Sequence, residues 1–299
     1  MVRRLCNKPL LLVAIALSLL GGGCANVPTA ELKFFREGVV AANTAATPIL
    51  DELSASERKL KQAVVARQKG AATFVWQDAA YFADVGDAPA TTIFRRGHNV
   101  LDRFSDVLYG VATGANAKGD IDGVESLVVE SAGLLSELSA LVPVLGGSEV
   151  AAKGAFEVAR PGLTLIATQL SRREAKRAIE IAVENQIVGK LTTALITATP
   201  LMFNVLIRDA ERATQDIDAS DDIIRVSRTA YAGRAAKLRI VLSNYVILLQ
   251  RVDAAWNEAA KAAVTGSTVS VAVLTERVME LRVAVVATRR AYADLHTGR

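Results

Sequence analysis

The sequence predicts an all-α protein, an elongated bundle of long antiparallel helices with coiled-coil-like packing, on three observations. Alanine is abundant and only 7 prolines interrupt 299 residues, a composition that sustains helices. No segment keeps up the period-two alternation of a half-buried strand. Towards the C-terminus, apolar residues instead recur at alternating steps of three and four, the seam of helices that pack side by side.

The N-terminal segment is of a different kind. Leu10 to Leu20 reads LLLVAIALSLL and follows Arg3, Arg4 and Lys8 with no acidic residue before it, which are the charged and apolar regions of an export signal. At about 1.5 Å per residue the run covers roughly half of a ~30 Å hydrocarbon core. Gly21, Gly22 and Gly23 then stop the helix and offer extended backbone to a peptidase, and Cys24 follows. This stretch resembles the lipobox of bacterial lipoprotein precursors: Gly22, Gly23 and Cys24 match it, and Gly21 stands where that family usually has Leu. The resemblance covers residues 1–25 and leaves the rest of the chain unassigned.

That resemblance implies a signal peptide at 1–23 and a lipidated cysteine with a short tether at 24–30. Cys24 would carry a diacylglycerol thioether and an amide-linked acyl chain, anchoring the chain in a lipid bilayer at ~0.8 kcal/mol per buried methylene. Ala25 in place of an Asp implies sorting to the outer membrane, facing the periplasm. Two other readings stay open. An ordinary signal peptidase could cut after Ala25, using Gly23 and Ala25 as its small residues, or the segment could remain as an uncleaved anchor.

Processing at Cys24 changes two other arguments. Cys6 leaves with the signal and Cys24 is taken by lipid, so no thiol is left for a disulfide, a metal or nucleophilic catalysis. Removing Arg3, Arg4 and Lys8 leaves 32 basic against 31 acidic residues, so the formal charge of +4 falls to +1. With bases and acids interleaved throughout, the chain does not read as a nucleic-acid binder.

Residues 31–299 read as one helical bundle domain. Its first helix carries Leu32, Phe35, Val39, Ala42, Ala46, Ile49, Leu53, Leu60 and Ala63 in nearly one frame. Pro48 should kink or break it, with Ser54-Ala55-Ser56-Glu57, a capping box, restarting it. A less regular section at 71–120 then gathers Phe74, Trp76, Tyr81, Phe82, Phe94, Phe104 and Tyr109, seven of the fifteen aromatics. Trp76, Tyr81 and Phe82 with Arg95, Arg96, His98 and Arg103 form a candidate partner-binding patch. Phe94, Leu101, Phe104 and Leu108 fall at helical spacing, which favours the packed end of a bundle instead.

The middle of the chain is poor in charge. Leu138 to Gly147 reads LSALVPVLGG and Leu191 to Ile207 reads LTTALITATPLMFNVLI, segments that suit a helix buried on all sides or an insertion into a bilayer. Ser171-Arg172-Arg173-Glu174 is a second capping box, opening a helix with Ala175, Ile179, Ala182 and Ile187 on one face until Pro200 disturbs it. The last two helices are the clearest. Ile224, Tyr231, Ala235, Leu238, Leu242, Tyr245, Leu249, Val252, Trp256 and Ala259 hold one frame, and Val271, Leu274, Val278, Leu281, Val285, Thr288, Tyr292 and Leu295 hold the next. Thr265-Gly266-Ser267 lies between as stop and cap, giving an antiparallel hairpin. A further stripe through Val241, Val246 and Leu248 widens the buried face beyond what one partner covers.

Recognisable chemistry is sparse. His98 and His296 are the only histidines, and no triad, zinc site or cofactor motif can be assembled from the motifs present. Asp120-Ile121-Asp122-Gly123 lacks two principal ligands of a calcium loop, since Lys118 and Val129 fall at its first and last positions. Asp122 with Glu125 reads as a helix cap, and Asp221-Asp222 as charges complementing a helix dipole. The expected role is therefore structural or partner-binding, in a membrane-anchored envelope lipoprotein that meets another envelope protein. A membrane-active bundle resembling the helical pore-forming proteins is the second reading, and an enzyme with a carboxylate-only site the third.

Overall fold

A computed structural model describes residues 29–67, 74–113, 126–127, 129–138, 140, 179–180, 182–215, 221–265 and 268–297. Five long helices carry the fold: α1 Thr29–Arg67, α2 Pro89–Thr113, α3 Ile187–Gln215, α4 Asp221–Thr265 and α5 Thr268–His296. A 3-10 turn, Trp76–Tyr81, lies between α1 and α2. Among the described residues there is no strand, as the all-α reading requires. Signal, Cys24, the Asp120–Glu125 turn, the Ser171 capping box and all of Leu138–Gly147 beyond Ala140 lie outside the described residues.

Cross-helix contacts set the directions. Arg36 pairs with Asp106 and Arg95 with Asp51, so α1 and α2 are antiparallel. Arg234 and His296 both reach Glu52, which sets α4 against α1 and α5 alongside it. Ser56 donates to Asp209 and Arg212 to the Leu60 carbonyl, so α3 runs with α1. At about 1.5 Å per residue, the 45-residue α4 is about 68 Å long and the 39-residue α1 about 58 Å.

The seams read from the sequence become the core. Leu274, Val278, Leu281, Val285, Thr288 and Leu295 of α5 are buried, and so are Ala235, Leu238, Leu242, Tyr245, Leu249, Val252, Trp256 and Ala259 of α4. The extra α4 stripe is buried through Val241 and Leu248, with Val246 partly buried. Gly38 of α1 lets α5 come close: a β-carbon there would stand 3.0 Å from a Leu281 methyl. Phe35, Phe104 and Trp256 close one end, with ring centroids 6.5 and 5.6 Å apart across Trp256. Leu191–Ile207 lies in α3 and is mostly buried, with Leu191, Leu195, Ala198 and Met202 on its core face. The stretch Ala182–Arg212 has an apolar window long enough to cross a membrane, and 61% of that window is buried within the bundle.

Proline and capping motifs act differently from the expectation. The helix neither ends at Pro48 nor restarts at Ser54, because α1 runs from Thr29 to Arg67 without a break. Leu32 to Leu53 bury one continuous face, and that tertiary burial outweighs the hydrogen bond Pro48 deletes. Pro200 likewise sits inside α3, on its exposed side. The interruption comes earlier, at Gln186, which takes φ of 51° and separates a short helical turn from α3.

A buried polar pair crosses the centre. His98 Nε2 of α2 lies 2.9 Å from Tyr245 Oη of α4. Burial, with a smaller push from Arg95, lowers the His98 pKa to about 4, and burial pushes the Tyr245 phenol up. The folded chain therefore holds His98 neutral. The unfolded chain binds more protons between about pH 4 and 6.5, so this stabilisation is complete above pH 6.5 and is lost as pH falls towards 4. Denaturation at a series of pH values should show the wild type losing about 3 kcal/mol relative to His98→Gln between pH 7 and 4. Parallel pH profiles for the two proteins would refute a neutral buried His98.

Candidate functional site

One end of the bundle is built around a tertiary cap. Pro89 opens α2, where its missing N–H costs nothing, but the residue before it is Ala88, which cannot cap. Helix α1 supplies the acceptors instead. Glu57 Oε1 accepts from Ala90 N at 2.9 Å, and Oε2 accepts from Thr91 N and Thr91 Oγ1 at 3.1 Å. Ser54 Oγ accepts from Ala88 N at 3.0 Å. The Ser54-to-Glu57 motif thus has the chemistry of a capping box, but it caps a different helix. Burial raises the Glu57 pKa and the amide donors oppose that rise.

The segment between α1 and α2 is tied to the same stretch of α1. Arg58 donates to the Gly86 carbonyl at 2.5 Å, where Gly86 has φ of +77°, a conformation that favours glycine. Gln62 donates to the Tyr81 carbonyl, and Lys61 pairs with Asp78 at 2.9 Å. Tyr81 is partly buried near Glu57, its phenol pushed up first by burial and then by the charges of Glu57 and Asp78. The neighbouring apolar side chains point out: Phe74 is 79% exposed, Trp76 73% and Phe82 48%. Large apolar groups this open are not part of the core.

Beside this turn lies a cleft of about 560 Å³ between α1, α2 and α3. Leu60, Val64, Leu201 and Val205 line it with Pro89 and Ala90. Lys61, Arg67, Arg208 and Arg212 surround it, against two acids, Glu57 and Glu211. The volume falls in the range of small-molecule sites.

The expected patch of seven residues comes apart. Trp76, Tyr81 and Phe82 share the turn. His98 is 3% exposed and belongs to the core, so it cannot touch a partner. The three arginines are engaged along α2: Arg95 with Asp87 and Asp51, Arg96 with Glu137, and Arg103 with Glu130. Arg103 stands 14 residues into α2, about 21 Å from its start, because antiparallel α2 carries these residues away from the turn. Phe94 and Phe104 are core, as their helical spacing predicts. Sequence reasoning missed Arg208 and Arg212, whose i,i+4 spacing just past a charge-poor run was the available signal.

Among the described residues no group of three or more His, Cys, Asp or Glu is placed to hold a metal ion. No family model matches the chain, and neither a curated protein nor a solved structure does.

Glu57→Ala leaves the Ala90 and Thr91 amides without acceptors and should cost about 2 kcal/mol, read as a lower urea midpoint at unchanged slope. Glu57→Gln keeps one amide oxygen for them and should lose less. Equal losses for both would show that the cap is not what holds α2.

Proposed function

We propose that this chain is a bacterial envelope lipoprotein, held in a bilayer through acylated Cys24, whose helical body presents a partner-binding end away from the membrane. The observation that carries the partner-binding part is the exposure of Phe74, Trp76 and Phe82 on and beside the 3-10 turn Trp76–Tyr81. That turn packs on α1 near Arg58 and Gln62, towards the opposite end of a ~58 Å helix from Thr29. The tether from Cys24 to Thr29 is about five residues and spans less than ~20 Å, so the α1 start stays near the anchor. Neutral mature composition and the lipobox resemblance support the same assignment.

The pore-forming reading draws on the apolar window in Ala182–Arg212. Burial of most of that window supports a core helix instead, since insertion would first require the bundle to open.

Mass spectrometry of the mature protein should find Cys24 N-terminal and acylated, with Cys24→Ser unprocessed; an unmodified terminus at Asn26 would sink the anchor. A photo-crosslinking residue at Trp76 should capture an envelope protein in cells, and the same residue at Thr275, on the outer side of α5, should not. Equal capture from both positions would remove the case for a recognition end.

A further inference from the structure

The cleft beside the turn joins two surfaces that one kind of molecule satisfies together. Its lining is apolar through Leu60, Val64, Leu201 and Val205, and Val64 remains 44% exposed there. Its surround is cationic, and the local acids do not cancel it. Glu57 is occupied by the α2 amides, and Glu211 has a contact of its own. Lys61 is paired with Asp78, and Arg212 donates to the Leu60 carbonyl. The side chains of Arg67 and Arg208 make no ion pair among the described residues.

A guanidinium with no ion pair among the described residues, beside an apolar slot, matches a ligand with an oxyanion at one end and hydrocarbon at the other. Arginine grips carboxylate and phosphate with paired N–H donors, while the chain gains by leaving water. A neutral ligand would leave the arginines unanswered, and a cationic one would be repelled. We propose that this cleft binds a single-chain anionic amphiphile, its carboxylate or phosphate held by Arg208 and Arg67 and its alkyl chain laid along Val64, Leu201 and Val205. The site goes beyond the partner-binding role and does not depend on acylation of Cys24.

The test uses the full chain in its own membranes, exposed to three photoactivatable probes of equal chain length with a mid-chain diazirine: a fatty acid, an alkyl phosphate and an alkyl alcohol. Mapped by mass spectrometry, label from at least one anionic probe should fall on residues 60–67 and 201–212, at ten or more times the yield of the alcohol. Comparing the two anions identifies the headgroup. Arg208→Glu with Arg67→Glu should cut the anionic label at least tenfold, and Val64→Trp should block it by filling the slot. All three positions are exposed, so circular dichroism and melting temperature should stay unchanged and separate loss of the site from loss of the fold. Equal labelling by the alcohol would overturn the proposal, as would label indifferent to the arginine changes or spread evenly over exposed apolar residues such as Val283. So would a photo-crosslinker at Val64 that captures a protein while the amphiphiles fail to compete.

Discussion

Much of this structure hangs on one carboxylate placed where a helix begins. Glu57 lies on α1, yet its oxygens accept the first free amides of α2, more than thirty residues further along. An orphan N–H pair buried without an acceptor costs of the order of 1–3 kcal/mol per group, and Ala88 has no side-chain oxygen to offer. The start of α2 can therefore settle at low cost only against this turn of α1. Fixing that point aims α2 back down α1, which brings His98 to Tyr245 and Phe104 to Trp256. It also fixes Pro89 and Ala90 as one wall of the cleft and leaves Tyr81 beside Glu57.

The carboxylate can hold that place because α1 does not yield at Pro48. A proline inside a helix costs about 3 kcal/mol, but the face from Leu32 to Leu53 is buried almost without residue exposure. Burying each large side chain contributes roughly 1.5–3 kcal/mol, so several such residues on either side offset the defect. Pro200 in α3 follows the same balance, with the ring turned to the exposed side and Ala198, Leu201 and Met202 buried around it. Local helix propensity decides little here, since the common core decides where each helix continues.

That balance explains what could be read from the residues. Periodicity is a property of one helix and its face, so the seams through Leu274 to Leu295 and Ala235 to Ala259 translate directly into buried positions. The site was less legible, because its parts come from segments far apart in sequence. Ser54 and Glu57 were recognisable as capping residues, but the chain does not encode locally which helix they cap. Arg96 and Arg103 follow the aromatics closely in sequence, but a helix carries successive residues away at ~1.5 Å each, and Arg95, nearer the start of α2, is held by Asp87 and Asp51. His98 looked like a patch residue because its partner, Tyr245, lies 147 positions away.

The two ends of the bundle differ in a way that bears on where a ligand can enter. At the Thr29 end, Phe35, Phe104 and Trp256 of α1, α2 and α4 are buried against one another in close ring contacts. At the other end a cleft stays open: Pro89, Ala90 and Tyr81 line it together with Leu60 and Val64 of α1 and Leu201 and Val205 of α3. From Phe35 to Val64 is about 44 Å along α1. Arg67 and Arg208 are exposed there and form no ion pair among the described residues, so water meets their charge until a ligand does. Exposed Trp76 and Phe82 stand beside the same opening. Tyr81 joins the two features, since it belongs to that turn and also lines the cleft. If a partner seated on the turn, as proposed, also reached over the cleft, it would dehydrate Arg208, and an anionic group held by that arginine would then favour the partner's binding.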